Sequence, residues 1–161
     1  MPDITIRLSE ESLKAAVKEL YQYSAWVKKK EDELRSRLAM IGATAASLRF
    51  SRAIYNGTND VSVRVDNNGS VAVIYAEGEA VAFIEFGSGI KYGYGHPLAG
   101  QFGVGPGTWS QDHAKQWDNP KGWYYAPKKH SYGNPPARAM ENARNEVAES
   151  ITWVAREVFS H

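Results

Sequence analysis

Glu85 is the residue in this chain that comes closest to a recognisable chemical site. It opens the segment Glu85-Phe86-Gly87-Ser88, which follows a short apolar run. Asp112 or Asp118 could complete the carboxylate pair of a glycosidase, because such pairs need no fixed spacing in sequence. The alternative is a structural role in which Glu85 caps backbone amides or meets an arginine across a subunit contact. We favour the structural role, because no partner motif for catalysis accompanies this glutamate.

Other chemical sites lack their usual sequence patterns. The chain has no cysteine, which excludes thiol hydrolases, disulfides and cysteine-ligated zinc. The glycines from Gly87 to Gly95 match neither a phosphate-binding loop nor a dinucleotide fingerprint, so we interpret them as turn residues. The four histidines form no metal-binding motif; they are His96, His113, His130 and His161. We therefore expect no enzyme, no catalytic residue, no cofactor and no metal.

Composition sets the outer limits of the fold and its partners. A chain of 161 residues with 43% hydrophobic residues is predicted to form a single domain, residues 1–161, with its own core. The net charge of +1 predicts no strong overall electrostatic attraction to nucleic acid or to an anionic membrane. We expect neither a secretory signal nor a membrane-spanning segment.

The first predicted element is a helix over residues 9–52. Ser9 is a good N-cap, and Glu10 and Glu11 carry the negative charge that suits a helix N-terminus. The sequence permits one helix of about 40 residues, roughly 60 Å long, although the charged run 28–33 could divide it into two. We favour one helix with a bend, because the apolar spacing keeps its phase. The stripe consists of Leu13, Val17, Leu20, Ser24, Val27, Leu34, Leu38, Ile41, Ala45 and Leu48.

Alternating residues then predict a β-hairpin over residues 61–76. Apolar and polar side chains alternate on both sides of Asp66-Asn67-Asn68-Gly69, a run that suits a turn. A two-stranded sheet is marginal alone. It should therefore pack on helices or pair with further strands, including strands of neighbouring subunits. Residues 80–87 could form a third strand or a short helix.

A long aromatic loop is predicted over residues 88–133. Ten of the 19 aromatic residues lie between Phe86 and Tyr132, and this argues against plain disorder. The loop also carries Lys91, Lys115, Lys121, Lys128 and Lys129. Stacking of these aromatics on single-stranded nucleic acid is one hypothesis. We favour a protein interface, because the lysines are thinly spread and interfaces are rich in aromatics.

The last predicted element is a helix over residues 135–159. Asn134 would be its N-cap and Pro135 its first residue, where a missing N–H costs nothing. Its apolar stripe is Met140, Ala143, Val147, Ile151, Val154 and Val158. We expect this stripe to pack along the N-terminal helix. The fold class is therefore predicted to be α+β.

Three segments resemble a known family in their order and spacing. They are Glu85-Phe86-Gly87-Ser88, the Gly- and aromatic-rich stretches 103–109 and 122–124, and Gly133-Asn134-Pro135-Pro136-Ala137 before the last helix. This arrangement resembles the gene-product-ten-like tail-component family of tailed bacteriophages. Many relatives carry Pro-Phe where this chain has Arg138-Ala139.

The resemblance implies a structural virion protein assembled in the bacterial host cytoplasm. Copies would form a ring in the neck of a long-tailed phage, as a tail-completion component between the head-closure or connector proteins and the tail terminator. Genomic DNA would pass through without specific binding. A minor head protein, a nucleic-acid-binding module and a wall-degrading enzyme are the alternatives. The expected subunit contacts are Glu85, Phe86, Trp109, Trp117, Trp123 and Tyr124.

Overall fold

The computed structural model describes residues 9–88, 96–98, 101, 123–126 and 129–160 of the chain. These residues form an α+β fold, as predicted. In chain order the elements are α1 (Glu10–Ser51), β1 (Ser62–Asn68), β2 (Val71–Glu77), α2 (Val81–Phe86), β3 (Trp123–Ala126), β4 (Lys129–Ser131) and α3 (Ala139–Phe159). Within the described ranges, no helix has the length and apolar character needed to cross a membrane.

Helix α1 is a single helix of 42 residues that begins where the sequence predicts. The Ser9 backbone is extended, and its Oγ accepts a hydrogen bond from the N–H of Ser12 at 3.3 Å. The charged run that offered a possible break continues the helix instead. Glu33 pairs with Arg37 at 2.7 Å, and such pairs one turn apart stabilise a helix locally.

Helix α3 packs antiparallel to the C-terminal part of α1. At one end the Arg49 guanidinium donates to Asn142 Oδ1 at 3.2 Å. At the other end the rings of Trp26 and Phe159 meet edge to face, 5.9 Å apart. Because α3 ends at this contact, residues 10–25 of α1 extend about 24 Å beyond it. We call this segment the α1 extension.

The buried face of α1 differs from the predicted stripe. Its fully buried positions in the C-terminal half are Ala39, Gly42, Ala46 and Phe50. The first three lie one residue after the predicted Leu38, Ile41 and Ala45, which are only half-buried. Phe50 lies two residues after the predicted Leu48, which is exposed. In the α1 extension the predicted Leu13, Val17 and Leu20 are about half exposed, whereas Ala16 is buried.

Gly42 explains why small residues occupy this line. A Cβ placed on Gly42 would lie 2.5 Å from Ile74 Cδ1 of β2 and 2.8 Å from Val147 Cγ2 of α3. Helix α3 and the first hairpin therefore meet over the same point of α1. Close approach from two sides requires small side chains there, and the larger apolar residues are displaced to the flanks.

Helix α3 follows its predicted stripe with one correction. Ala143, Val154 and Val158 are buried, as predicted. Ile151 is exposed, however, and Ser150 is buried in its place. The buried line from Ala143 onward thus follows the helical period of 3.6 residues rather than residue hydrophobicity alone.

The first hairpin confirms the predicted alternation, but with a shorter turn. Strands β1 and β2 are antiparallel, and Asn68 pairs with Val71. The turn therefore contains only Gly69 and Ser70, with Gly69 at φ 68°, as a two-residue turn requires. Arg35 of α1 donates to the carbonyl oxygen of Gly69 at 2.5 Å. The hairpin is thus fixed against the middle of α1.

The two faces of this hairpin have different surroundings. Val63, Val65, Ile74 and Ala76 are half-buried, and both strands contact α1. The opposite face of β2 exposes Val71, Val73 and Tyr75. An apolar sheet face therefore remains exposed on the surface of the folded chain.

Gly42 provides a test of this packing. We expect Gly42→Leu to lower the free energy of unfolding by roughly 1 to 3 kcal/mol, because the new side chain overpacks the contact of α1 with Ile74 and Val147. Thr44→Leu is the matched control, since Thr44 is an exposed residue of the same helix. Urea unfolding followed by circular dichroism measures both variants. Equal stability of the two variants would contradict the close approach at Gly42.

Candidate functional site

Helix α2 carries Glu85 and Phe86, and its start is fixed by Asp60. The Asp60 carboxylate accepts hydrogen bonds from the N–H groups of Glu79 at 2.7 Å and Ala80 at 2.9 Å. The hydrogen bond from Ala80, and next the one from Glu79, hold the pKa of Asp60 below its usual range. These bonds satisfy backbone donors just before the helix. Residues 80–87, predicted as a strand or a short helix, thus contain a short helix.

Glu85 is buried and caps the N-terminus of α3. Its Oε2 accepts a hydrogen bond from the N–H of Met140 at 3.0 Å, and its Oε1 accepts from the N–H of Glu141 at 3.3 Å. These are the second and third residues of α3, whose N–H groups have no partner within the helix. The residue at the N-cap position, Arg138, has a left-handed backbone and supplies no side-chain cap. The cap is therefore supplied by a carboxylate 55 residues earlier in the chain than Met140.

The start of α3 corrects a prediction. The helix begins at Ala139, not at Pro135 with Asn134 as its N-cap. Asn134 is used elsewhere, because its backbone N–H and C=O pair with Ser88 at 3.1 and 3.0 Å. Its side chain accepts from the Ser88 hydroxyl and donates to the carbonyl oxygen of Phe83 at 2.8 Å. With these groups occupied, Asn134 cannot cap a helix.

The segment between Asn134 and α3 continues to follow α2. The N–H of Ala137 donates to the carbonyl oxygen of Ile84 at 2.8 Å, and the N–H of Arg138 donates to that of Glu85 at 3.2 Å. Two carbonyl groups at the C-terminal end of α2 thereby gain partners. The contact of α2 with the segment 134–141 therefore provides hydrogen-bond partners for backbone groups at the end of α2 and at the start of α3.

Gly87 allows the two segments to approach. Its φ is 79°, and a Cβ there would lie 2.8 Å from Pro136 N and 2.9 Å from Asn134 O. Those are backbone atoms, so a side chain would need the chain itself to move. Glu85, Gly87 and Ser88 thus each have a distinct structural task. The first and last of the three segments that carry the family resemblance lie against each other.

His96 joins this site without any signal in the sequence. Its imidazole lies edge to face against Phe86, with ring centroids 4.6 Å apart. Its Nε2 lies 3.5 Å from Glu85 Oε1 and 3.9 Å from Glu141 Oε2. Sequence reasoning grouped His96 with the other histidines, because no periodicity or motif relates it to Glu85. Only the folded contact brings the three side chains together.

The other predicted site residues are not brought to Glu85 by the described part of the structure. Trp123 and Tyr124 lie in β3, opposite Ser131 and His130 of β4. The remaining predicted residues, Trp109, Trp117, Asp112 and Asp118, lie outside the described residues. The subunit contacts and the glycosidase pair accordingly stay predictions.

The geometry around Glu85 favours a structural role for this carboxylate. Both of its oxygens face N–H groups of α3, and only 5% of the residue is exposed. A general acid or base needs to reach a proton on a substrate, whereas these oxygens are already engaged. Among the described residues, no group of three ligating side chains could hold a metal ion.

Comparison with known proteins gives no family assignment. A scan against protein-family models found no match, and searches of curated proteins and of solved structures found no significant match. The resemblance to a phage tail-component family therefore remains an expectation from the sequence.

The Glu85 cap can be tested by an isosteric change. We expect Glu85→Gln to lower the free energy of unfolding by about 1 to 2 kcal/mol, because an amide NH2 would face the N–H groups of Met140 and Glu141. Glu79→Gln is the matched control, since Glu79 is exposed. Chemical denaturation measures both variants. If Glu85→Gln were as stable as the control, the carboxylate would not be the cap of α3.

Asp60 gives the fold a defined response to acid. Its pKa is lowered in the folded state, so its contribution to stability is complete above the unfolded pKa, near 4. That contribution is lost as the pH falls through the lower, folded pKa. We expect the difference in melting temperature between wild type and Asp60→Asn to be largest near neutral pH and to shrink below about pH 4. A difference that stays constant down to about pH 2 would contradict this role.

Proposed function

We propose that this chain is a structural virion protein of a long-tailed bacteriophage, a neck or tail-completion component that joins head and tail as one subunit of a ring. The observation that supports assembly is the amount of apolar surface that lies outside the chain's own core. Two parts of that surface lie on the α1 extension and on the outer face of the first hairpin.

The α1 extension presents apolar side chains on either side of the buried Ala16. Leu13, Val17 and Leu20 recur at steps of four and three residues, and each is about half exposed. Complete burial of a Leu or Val side chain contributes about 1.5 to 3 kcal/mol. A neighbour that covered this stripe would therefore gain several such partial contributions. A helix that extends beyond its own partner helix suits contact with another chain.

The outer face of the first hairpin presents the second surface. Val71, Val73 and Tyr75 are exposed on β2. In the described part of the chain this sheet contains only β1 and β2, so each strand has an unpaired edge. Unpaired edges and apolar faces are places where another strand or subunit adds.

A ring would combine these modest contacts. Each subunit in a closed ring repeats the same heterologous interface, and linked contacts reinforce one another. The partners would be copies of the chain, head-closure or connector proteins and the tail terminator. Genomic DNA would pass through the ring without specific binding, in keeping with a net charge of +1. No catalytic step belongs to this role, and the site of action is the virion neck after assembly in the host cytoplasm.

Deletion of the gene from a phage or prophage that encodes the chain tests the proposed role. Electron microscopy of the lysate should show DNA-filled heads beside detached tails, because the joint between them is missing. Supplying the wild-type gene in trans should restore complete particles. Normal, infectious particles in the deletion lysate would contradict the proposed function.

Two further alleles separate assembly from folding in the same experiment. Leu20→Asp should fail to restore particles, because it places a charge on the exposed stripe while leaving the core untouched. Lys18→Asp is the matched control on the exposed surface of the same segment, and it should restore them. Equal restoration by both alleles would contradict the use of this stripe in assembly.

A further inference from the structure

The outer edge of β1 carries backbone groups that the described residues leave unpaired. Because the turn after β1 contains two residues, Asn68 and Val71 form a hydrogen-bonded pair, and such pairs recur at every second residue. The backbone groups of the even-numbered residues of β1 therefore face β2. Those of Val63, Val65 and Asn67 point away from β2, and no hydrogen-bond partner for them occurs among the described residues.

A groove runs along this edge between β1 and α1. Its volume is about 630 Å³, and Val63 and Val65 line its β1 side. Met40 and Leu48 of α1 line the opposite side and are 62% and 46% exposed. Strand β1 has no proline, no bulge and no charged residue facing α1, which are common protections of a sheet edge. An added strand would therefore complete the hydrogen bonds of β1 and cover apolar surface of the groove.

The edge of β2 is placed differently from that of β1. Ala76 of β2 lies in a cavity that is also lined by Val81 of α2 and Arg144 of α3. Ile74 of β2 lies beside Val147 of α3 over Gly42. Helices α2 and α3 therefore lie on the β2 side of the hairpin. An incoming strand meets these helices at β2, whereas at β1 it meets the groove.

The charges on the outer face of β1 define which strand fits this edge. Arg64 and Asp66 are both exposed on that face. Arg64 Nε pairs with Glu77 at 2.8 Å, and no residue of the described part of the chain pairs with its two Nη atoms or with the Asp66 carboxylate. A complementary strand places an acid opposite Arg64 and a base opposite Asp66. Read antiparallel, the sequence of β1 itself has this order.

We propose that β1 pairs with β1 of a second copy of the chain, antiparallel about a two-fold axis at Val65. In this register Arg64 of each copy lies opposite Asp66 of the other. A shift of two residues in either direction would place two Arg64 or two Asp66 side chains opposite each other, and like charges there are destabilising. A shift of one residue would set outward backbone groups opposite inward ones and remove the hydrogen bonds. Charge and backbone geometry thus select one register.

This pair is distinct from the ring contacts of the proposed function. A two-fold contact uses the same surface on both copies and closes at two subunits. The two hairpins would form one four-stranded sheet with both α1 helices on the same face. Met40 and Leu48 of each copy would then face the other copy across the groove. The inference goes beyond the ring and does not depend on it, because it concerns the free chain in solution.

Charge reversal on the full-length chain tests the partner and the register together. Wild type should dimerise in sedimentation runs as its concentration rises. Arg64→Asp and Asp66→Arg should each weaken dimerisation at least about tenfold, because each sets like charges opposite each other twice. An equimolar mixture of the two variants should dimerise at least about tenfold more tightly than either alone, because every opposing pair then has opposite charges. Glu79→Arg, a reversal at an exposed residue outside β1, is the matched control and should dimerise like wild type.

Amide hydrogen exchange tests the strand contact on the wild-type chain without any substitution. In the dimer the N–H groups of Val63 and Val65 should exchange slowly, and dilution to the monomer should make them exchange fast. The N–H groups of Arg64 and Asp66 bond to β2 and should exchange more slowly than those of Val63 and Val65 in the monomer. This measurement decides the matter if a charge-reversed variant fails to fold, as judged by circular dichroism.

Three results would overturn the pairing of β1. The first is a wild-type chain that remains monomeric at every concentration. The second is a mixture of folded Arg64→Asp and Asp66→Arg chains that associates no better than either variant alone. The third is a dimer in which the Val63 and Val65 N–H groups exchange as fast as in the monomer. None of these experiments involves phage particles, so failure of the neck role is recognised separately in the deletion lysate.

Discussion

The hydrogen bonds from α3 to the Glu85 carboxylate are the interaction on which the rest of this fold depends. Helix α3 starts at a residue whose own neighbours offer no side-chain cap. The cap comes instead from a buried residue of α2, 55 positions earlier. A charged acceptor on two helix N–H groups is stronger than a neutral one. It fixes α3 relative to α2, and α3 then lies along α1 and completes the core around Phe50 and Ile84.

Local signals predicted much of this fold. The Ser9 cap placed the start of α1, and alternation placed the first hairpin, because both signals depend on residues close in sequence. The start of α3 was predicted wrongly for the opposite reason. Asn134 and Pro135 have the local features of a helix start, but Asn134 pairs with Ser88 and leaves capping to Glu85. The sequence suggested that Glu85 caps backbone amides, but it did not indicate that these amides belong to α3.

Packing from two sides explains why the buried face of α1 differs from the apolar stripe that was predicted. Hydrophobicity identifies residues that gain from burial, but close approach selects residues that are small. At Gly42 the hairpin and α3 leave no space for a side chain, so the line of closest contact contains glycine and alanine. Leu34, Leu38 and Ile41 of the stripe are half-buried, whereas Leu48 and the large residues of the α1 extension are about half exposed. The described residues therefore leave apolar surface outside the core that they form.

His96 adds a third side chain to the Glu85 cap. Drawing α2 against the start of α3 places Glu85 and Glu141 side by side, and His96 lies over both. His96 Nε2 lies 3.5 Å from Glu85 Oε1 and 3.9 Å from Glu141 Oε2, so one imidazole faces both carboxylates. The same constraint that starts α3 thus also buries a histidine whose relation to Glu85 no sequence motif indicates.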